Sequence, residues 1–304
     1  MSVSEAAVRA MDTGAWGALR VGGADARAFL QGQLSNDLLS LTRDNSLLAA
    51  LNTPQGRVVA LLRLVERADA IYGLLPASMV ATVIERLRKY VLRSKVTLEA
   101  STLEVLPLVG IAHSEVHALF EGSPGAATHQ QARDVSALHL PGPTTRTLLI
   151  GEMRELRALL ERAGLQDASW NDWRLAQIEA GEPQIYPATS EHFVAQMLNL
   201  DLVEGLSFSK GCYTGQEIIV RTQHLGRIKR RMVRARHSGS AVAPGDKLFD
   251  GEVSAGEVVD VAQRADGTTE LLAVMSLTHA PGAVHFAGFG PLTELALPYS
   301  WSGT

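Results

Sequence analysis

The chain has 304 residues, a single cysteine and a formal charge of −4, with 46% hydrophobic and 20% charged residues. That length lets a chain bury roughly three quarters of its unfolded surface in two or three domains, and one cysteine excludes an intrachain disulfide, a Cys-x-x-Cys zinc site and a cluster held by this chain's thiolates alone. The net charge argues against a generally basic nucleic-acid binder and leaves a local basic patch open.

The start, Met1-Ser2-Val3-Ser4-Glu5, has neither a basic segment nor an apolar run of signal-peptide length, and no later stretch approaches the ~20 apolar residues of a membrane span. A cytoplasmic protein without a membrane partner is expected. Trp16 to Val21 alternates as a strand, Gly22-Gly23 breaks it, and Ala24 to Gln31 has helical apolar spacing. Leu47–Leu51 and Val58–Val65 read as a hairpin around Asn52-Thr53-Pro54-Gln55-Gly56, followed by a third strand at Ala70–Leu75. Ala77 to Leu92 is a helix by its apolar positions, with Arg86, Arg88, Lys89 and Arg93 on a basic face that is either solvated or open to an anionic ligand.

Further along, Leu103–Ala112 and Thr145–Ile150 are strand candidates, Glu115–Phe120 is a short helix, and Gly122–Arg133 reads as a surface loop. Helices are expected at Glu152–Ala163, stopped by Gly164, and at Trp170–Ala180, stopped by Gly181 and Pro183. Strands and helices mix without the repeated alternation of a doubly wound sheet, so an α+β body fits. From Arg227 the chain turns to short β segments between Gly, Pro and Asp-Gly turns, which predicts a small barrel or sandwich; the expected domains are a two-part body over 1–226 and a C-terminal β domain over 227–304. Arg227, Lys229, Arg230, Arg231, Arg234 and Arg236 open that domain, and strand alternation splits them between two faces; a solvated junction, an anion or folate-glutamate site and an RNA contact are all open for them.

The stretch Lys210-Gly211-Cys212-Tyr213-Thr214-Gly215-Gln216-Glu217 carries the strongest chemical signal. Thr214 and Glu217 stand at capping-box spacing, which predicts a helix start at Thr214 and a stop near Gly226. A cysteine just ahead of a helix N-terminus and close to the Lys210 ammonium is expected to ionise below its reference value of about 8.5, as a nucleophile or soft metal ligand. Gly211 and Gly215 are expected to turn the backbone tightly and leave the sulfur approachable. A lone cysteine acting as a small buried hydrophobe is the alternative.

Lys-Gly-Cys-Tyr-x-Gly-Gln-Glu resembles the signature of the YgfZ family of folate-binding, iron–sulfur-related proteins, which share a fold with the aminomethyltransferase (T-protein) of the glycine cleavage system. Phe29-Leu-Gln-Gly-Gln33 with Asp37, the segment Trp173 to Pro183, and His192 to Ser209 extend the likeness over most of the chain, with Ala195 where the family usually has Pro. The resemblance implies a T-protein-like multi-domain body around a central folate cleft, a C-terminal β-barrel, tetrahydrofolate or a related folate as cofactor, and iron–sulfur proteins or their assembly machinery as partners. It also implies Cys212 and Lys210 as reactive residues, the motif residues Gly211, Tyr213, Gly215, Gln216 and Glu217 around them, and Trp16 and Trp173 at the folate pocket. A flat aromatic can stack on a pterin, and simple core packing is the alternative for both.

T-proteins carry an acidic pair after a Gly-Gly in the hairpin, where this chain has Gly56-Arg57-Val58-Val59-Ala60-Leu61. Folate-dependent support of iron–sulfur assembly or repair therefore ranks first, one-carbon transfer second and a non-catalytic interaction protein third. No P-loop, His-Glu-x-x-His or Gly-x-Ser-x-Gly spacing is present to suggest nucleotide, metalloprotease or serine-hydrolase chemistry.

Overall fold

Strand β1 (Trp16–Gly22) lies inside a five-stranded sheet and is buried on both faces. Alternation sends Leu19 and Val21 into one apolar cluster and Trp16 and Ala18 into another. The computed structural model describes residues 16–68, 70–120, 129–132, 134–225, 228–239, 241–279, 284–286 and 291–300.

Helix α1 (Ala26–Gln33) follows β1, and the hairpin of β2 (Ser46–Asn52) and β3 (Val58–Arg67) leads to β4 (Ala70–Pro76), helix α2 (Ala77–Arg88) and β5 (Thr97–Ala100). The sheet order is β2-β3-β4-β1-β5, antiparallel throughout. Phe29 and Leu30 of α1 and Met79, Val83 and Leu87 of α2 seal the Leu19–Val21 face. Helix α2 ends at Arg88, short of the expected Leu92, because Leu92 adopts φ +37°, in the left-handed region that ends a right-handed helix.

A second sheet, ordered β6-β9-β8-β7, is built from β6 (Glu104–Val109), β7 (His129–Ala132), β8 (Val135–Leu140) and β9 (Arg146–Gly151). A short helix α3 (His113–His117) lies between β6 and β7, and α4 (Met153–Ala163) packs Leu156, Leu159 and Leu160 on Leu106, Ala137 and Leu149. Gly164 ends α4 in the left-handed conformation at φ +66°. Strand β7 stands where a loop was expected: its His-Gln-Gln-Ala sequence lacks apolar alternation, and pairing with β8 imposes the extended form. The rest of that loop, 122–128 and 133, lies outside the described residues. Helix α5 (Trp170–Glu179) starts at Ser169, whose hydroxyl accepts the Asp172 N–H at 3.1 Å.

After helix α6 (Gln216–Leu225) comes a third, antiparallel sheet of β10 (Arg230–His237), β11 (Lys247–Asp250), β12 (Val253–Gln263), β13 (Thr269–Ser276), β14 (His285–Phe286) and β15 (Thr293–Leu295). Its order is β14-β11-β12-β13-β10-β15, and among the described residues the outer strands β14 and β15 are not paired to each other. The closed barrel expected here is not detected among the described residues, although an isolated bridge joins His285 of β14 to Pro291 and the Leu292 N–H, just ahead of β15, donates to the Val284 carbonyl at 2.9 Å. The basic cluster on β10 is largely spent on partners: Arg231 grips Asp201 at 2.6 and 2.8 Å, while Arg234 and Arg236 share Glu270. No helix among the described residues is long and apolar enough to cross a membrane.

Buried ions tie the sheets together. Arg67 at the end of β3 donates to Ser136 Oγ at 3.0 Å and the Ile150 carbonyl at 2.6 Å in the second sheet. Arg174 of α5 donates to Asp260 of β12 at 2.7 Å, and the Tyr186 hydroxyl reaches the same carboxylate at 3.0 Å. Glu182 accepts Arg63 of β3 on one oxygen at 2.8 Å and Arg146 of β9 on the other at 3.0 Å. Burial opposes ionisation of Glu182, but the charges and hydrogen bonds of Arg63 and Arg146 outweigh it and hold its pKa down at about 2.

A carboxylate depressed from 4.5 to about 2 contributes stability that is complete above pH 4.5 and is lost as pH falls toward 2. The contribution is on the order of 3 kcal/mol. Glu182→Gln leaves two buried guanidinium groups without their anion and is expected to cost about 3–5 kcal/mol at pH 7. It should also flatten the stability profile between pH 4.5 and 2 relative to wild type, as read by urea unfolding at each pH. A variant as stable as wild type at pH 7, with an unaltered acid profile, would show that the triad does not couple the sheets.

Candidate functional site

The hairpin tip between β2 and β3 and the loop before α6 are built against each other. Gly215 has φ +81°, and a Cβ there would lie 2.5 Å from the Thr53 carbonyl oxygen and 3.0 Å from Gly56 Cα. Gly56, at φ +72°, would in turn meet Ile218 at 2.8 Å. Both glycines are required by close approach as well as by conformation. Gly211 differs: an added Cβ meets nothing within 4 Å and its φ is ordinary, so it leaves open space beside Cys212 without shaping the turn.

Helix α6 starts at Gln216, two residues after the predicted cap. The left-handed Gly215 separates Thr214 from the helix, and the Thr214 hydroxyl instead faces Gln33 Oε1 at 3.4 Å. Gln216 Oε1 reaches back to accept the Tyr213 N–H at 3.2 Å, so the expected Thr214–Glu217 box is replaced by a glutamine-closed turn. Glu217 is exposed in the first turn, where a carboxylate suits the helix dipole. The predicted stop at Gly226 lies outside the described residues.

Cys212 is exposed, so the buried-hydrophobe alternative does not hold. Lys210 is buried, and its ammonium donates to the carbonyls of Gln31, Leu34 and Asn36, each at 2.7 Å. An ammonium has three hydrogens, and all are taken at the C-terminal end of α1. Lys210 thus fastens the cysteine loop to α1, and it also lies 5.1 Å from the centre of the Tyr213 ring. Burial pushes the Lys210 pKa down to about 8, with the Asp37 charge opposing. Tyr213 is buried; burial raises its pKa to about 12, and its hydroxyl has no partner among the described residues. The buried Asn52 amide at the hairpin tip is unpartnered on both oxygen and nitrogen.

Trp16 and Trp173 occupy a different cluster. Trp173 is 0% exposed and Trp16 8%, and they meet edge to face at 5.9 Å, with Trp170 edge-on to Trp16 at 6.0 Å. The Arg146 guanidinium lies 5.7 Å from the Trp173 ring centre, and Trp173 Nε1 donates to Gln177 at 3.1 Å. Six nitrogens in this group are buried without a partner among the described residues: Trp16 Nε1, Trp170 Nε1, Gln177 Nε2, Arg63 Nε, and Arg146 Nε and Nη1. Every one is a donor. Such an atom costs about 1–3 kcal/mol until an acceptor meets it, and burial lowers the Arg146 pKa despite Glu182 beside it.

The structure brings Lys210, Tyr213, Gly215 and Gln216 together around the Cys212 loop and, in a separate apolar cluster, brings Trp16 to Trp173; among the described residues no hydrogen bond or ring contact joins the two groups. Helix α5 borders both: Trp173 packs in one cluster, and Ile178 packs in the cluster that contains Tyr213. Sequence reasoning missed Arg63, Arg146, Gln177 and Glu182. Arg63 did carry a signal, a lone charge inside the apolar run Val58–Val65, whereas Arg146 and Glu182 flank turns and look exposed.

No family model matches the chain. A curated relative from Colwellia psychrerythraea, named tRNA-modifying protein YgfZ, is 30% identical over 269 residues, covering 86% of this chain and 83% of the relative. The protein of that name from Yersinia pestis is 30% identical over 302 residues, covering 94% and 90%. The chain belongs to the YgfZ family. Among solved structures, the glycine cleavage system aminomethyltransferase T from Bartonella henselae superposes with a TM-score of 0.72 over 94% of this chain and 84% of that one, at 16% identity. The fold is therefore T-protein-like.

Lys210→Met keeps the aliphatic stem but strips three buried carbonyls of their donor. It should destabilise the protein by about 3 kcal/mol, whereas Cys212→Ser at an exposed position should change stability by no more than about 0.5 kcal/mol. Urea denaturation of both variants checks the contrast. Equal, small effects would mean that the lysine is not a structural tie.

Proposed function

We propose that this protein binds a folate at the Trp16, Trp173 and Arg146 cluster and supports iron–sulfur assembly or repair through Cys212. The observation that carries the folate half is the donor-only character of the six unpartnered buried nitrogens. A folate offers matching acceptors in its pterin carbonyl and ring N1, its amide carbonyl and its carboxylates. The Arg63–Glu182–Arg146 triad adds a net positive charge toward such a guest. Because both tryptophan rings are already packed edge to face, stacking on a pterin requires that contact to open, while the donor atoms serve in either arrangement.

Membership of the YgfZ family and the T-protein-like fold support the same reading, and the relatives' name, tRNA-modifying protein, adds an RNA-linked role to it. Cys212 is assigned as the working thiol because it is exposed on a loop fastened by Lys210 and left uncrowded by Gly211. Clients are then iron–sulfur proteins or their assembly machinery. One-carbon transfer is the second reading, favoured by the fold alone. Against it, Val58, Val59, Ala60 and Leu61 are apolar and at most 1% exposed where a T-protein has its acidic pair.

Trp16, Trp170 and Trp173 are three of the four tryptophans and touch one another, so fluorescence reports on this cluster. Titration with tetrahydrofolate and with oxidised folate should give saturable quenching, and Gln177→Met should weaken binding about tenfold by removing one donor. Cys212→Ser should bind folate as wild type does, yet fail to restore iron–sulfur enzyme activity in a deletion strain. Absence of quenching by either folate sinks the cofactor assignment; methylene-folate formation from an aminomethyl-loaded lipoyl donor would put the transferase reading first.

A further inference from the structure

The segment from Arg88 to Lys95, Arg-Lys-Tyr-Val-Leu-Arg-Ser-Lys, holds four cations and no acid in a chain of net charge −4. Arg88, Lys89, Arg93 and Lys95 are all exposed, and none makes an ion pair among the described residues. Between them Tyr90 is 42% exposed and Leu92 is 89% exposed. Helix C-termini favour cations, which accounts for Arg88 and Lys89 at the end of α2. It does not account for Arg93 and Lys95 beyond the helix, nor for an aromatic and a leucine turned to water.

The tip is also held in shape. Lys95 N–H donates to Asp25 Oδ2 at 2.7 Å, Asp25 N–H returns to the Lys95 carbonyl at 3.3 Å, and Ser94 N–H closes a turn on the Val91 carbonyl at 2.8 Å. Leu92 takes φ +37°, a conformation that a leucine rarely adopts, and is presented outward by it. The carboxylates nearby are engaged or set back: Asp25 on the Lys95 backbone, Glu191 on Arg86, Glu99 on Arg20, with exposed Glu85 one turn earlier.

We propose that this tip is a contact for an RNA strand, with the four cations on successive phosphates and Tyr90 as a stacking platform. Position supports it. The tip is bonded to the turn that opens α1, and the Lys210 ammonium that fastens the Cys212 loop is bonded to the other end of the same helix. An eight-residue helix is about 12 Å long, roughly four stacked nucleotides at about 3.4 Å each. A strand seated on the tip can therefore reach the cysteine loop. An anionic membrane is the competing partner for cations beside exposed apolar groups, but interfacial insertion uses an apolar face of many residues, and here only Leu92 is almost fully exposed. The assignment goes beyond the folate reading and does not depend on it.

The test is fluorescence anisotropy of labelled total tRNA with the full-length protein, from 50 to 200 mM salt. Wild type is expected to bind with log K falling against log salt at a slope of about −3, the value for four phosphate contacts on a single strand. The quadruple variant Arg88→Gln, Lys89→Gln, Arg93→Gln, Lys95→Gln should lose that slope and most of the affinity while keeping its thermal midpoint, and Tyr90→Ala should weaken binding about tenfold. Arg154→Gln, Arg157→Gln, Arg162→Gln on α4 removes comparable charge elsewhere and should leave binding unchanged. Absence of tRNA binding at 50 mM salt, or equal losses in the two charge variants, overturns the proposal. So does cosedimentation with phosphatidylserine vesicles that depends on the tip while tRNA binding does not.

Discussion

The two-armed carboxylate of Glu182 is the constraint from which the positions of the other site residues follow. Each of its oxygens is committed to a guanidinium from a different sheet, Arg63 from β3 and Arg146 from β9. Arg63 emerges from an apolar run and meets no acceptor of its own sheet among the described residues, while Arg146, 0% exposed, gains there only the Pro141 carbonyl from the turn before β9. Desolvating three ions is costly, and a hydrophobic substitute is often equally stable. What the ionic solution adds is direction: it fixes where Arg146 sits relative to Trp173, and leaves buried N–H groups of both arginines without an acceptor among the described residues.

Lys210 shows how a charge next to a cysteine in sequence can serve another purpose in space. The sequence suggests an ammonium that favours thiolate; the fold turns it inward, where three carbonyls at the end of α1 use all of its hydrogens. Those carbonyls belong to the last turn and exit of a helix, whose C-terminal carbonyls lack intrahelical partners. The lysine therefore caps α1 from outside and suspends the Cys212 loop from it. That supplies a fixed, exposed thiol without a cationic neighbour that hydrogen-bonds to it.

Much of this was legible in the sequence, and the failures have physical causes. The β1–α1 opening, the hairpin, α4 with its Gly164 stop and α5 follow period, caps and turn residues, all of which are local. The start of α6 was misplaced because Thr214 and Glu217 satisfy a local rule, while tertiary contact with Thr53 and Gly56 forces Gly215 into a left-handed conformation that delays the helix. Strand β7 was hidden because an edge strand with polar side chains has no apolar period to read. The donor cluster was invisible for a different reason: its members come from β1, β3, β9 and α5, and nothing in sequence spacing shows that Arg63, Arg146 and Gln177 converge.

Helix α5 is where the two halves of the candidate site meet. Its Trp173 and Gln177 belong to the donor cluster, its Ile178 packs in the apolar cluster that contains Tyr213 of the cysteine loop, and its Arg174 is clamped to Asp260 of the third sheet. The Ser169 cap fixes the start of the helix, and the buried Arg174 pair ties its middle to the third sheet. A guest that met the Gln177 amide and parted the Trp16–Trp173 contact would bear directly on this helix. Ile178, on the same helix, packs in the cluster of Tyr213, whose hydroxyl is itself buried without a partner among the described residues. The folate half and the cysteine half of the proposed function therefore border one packed helix.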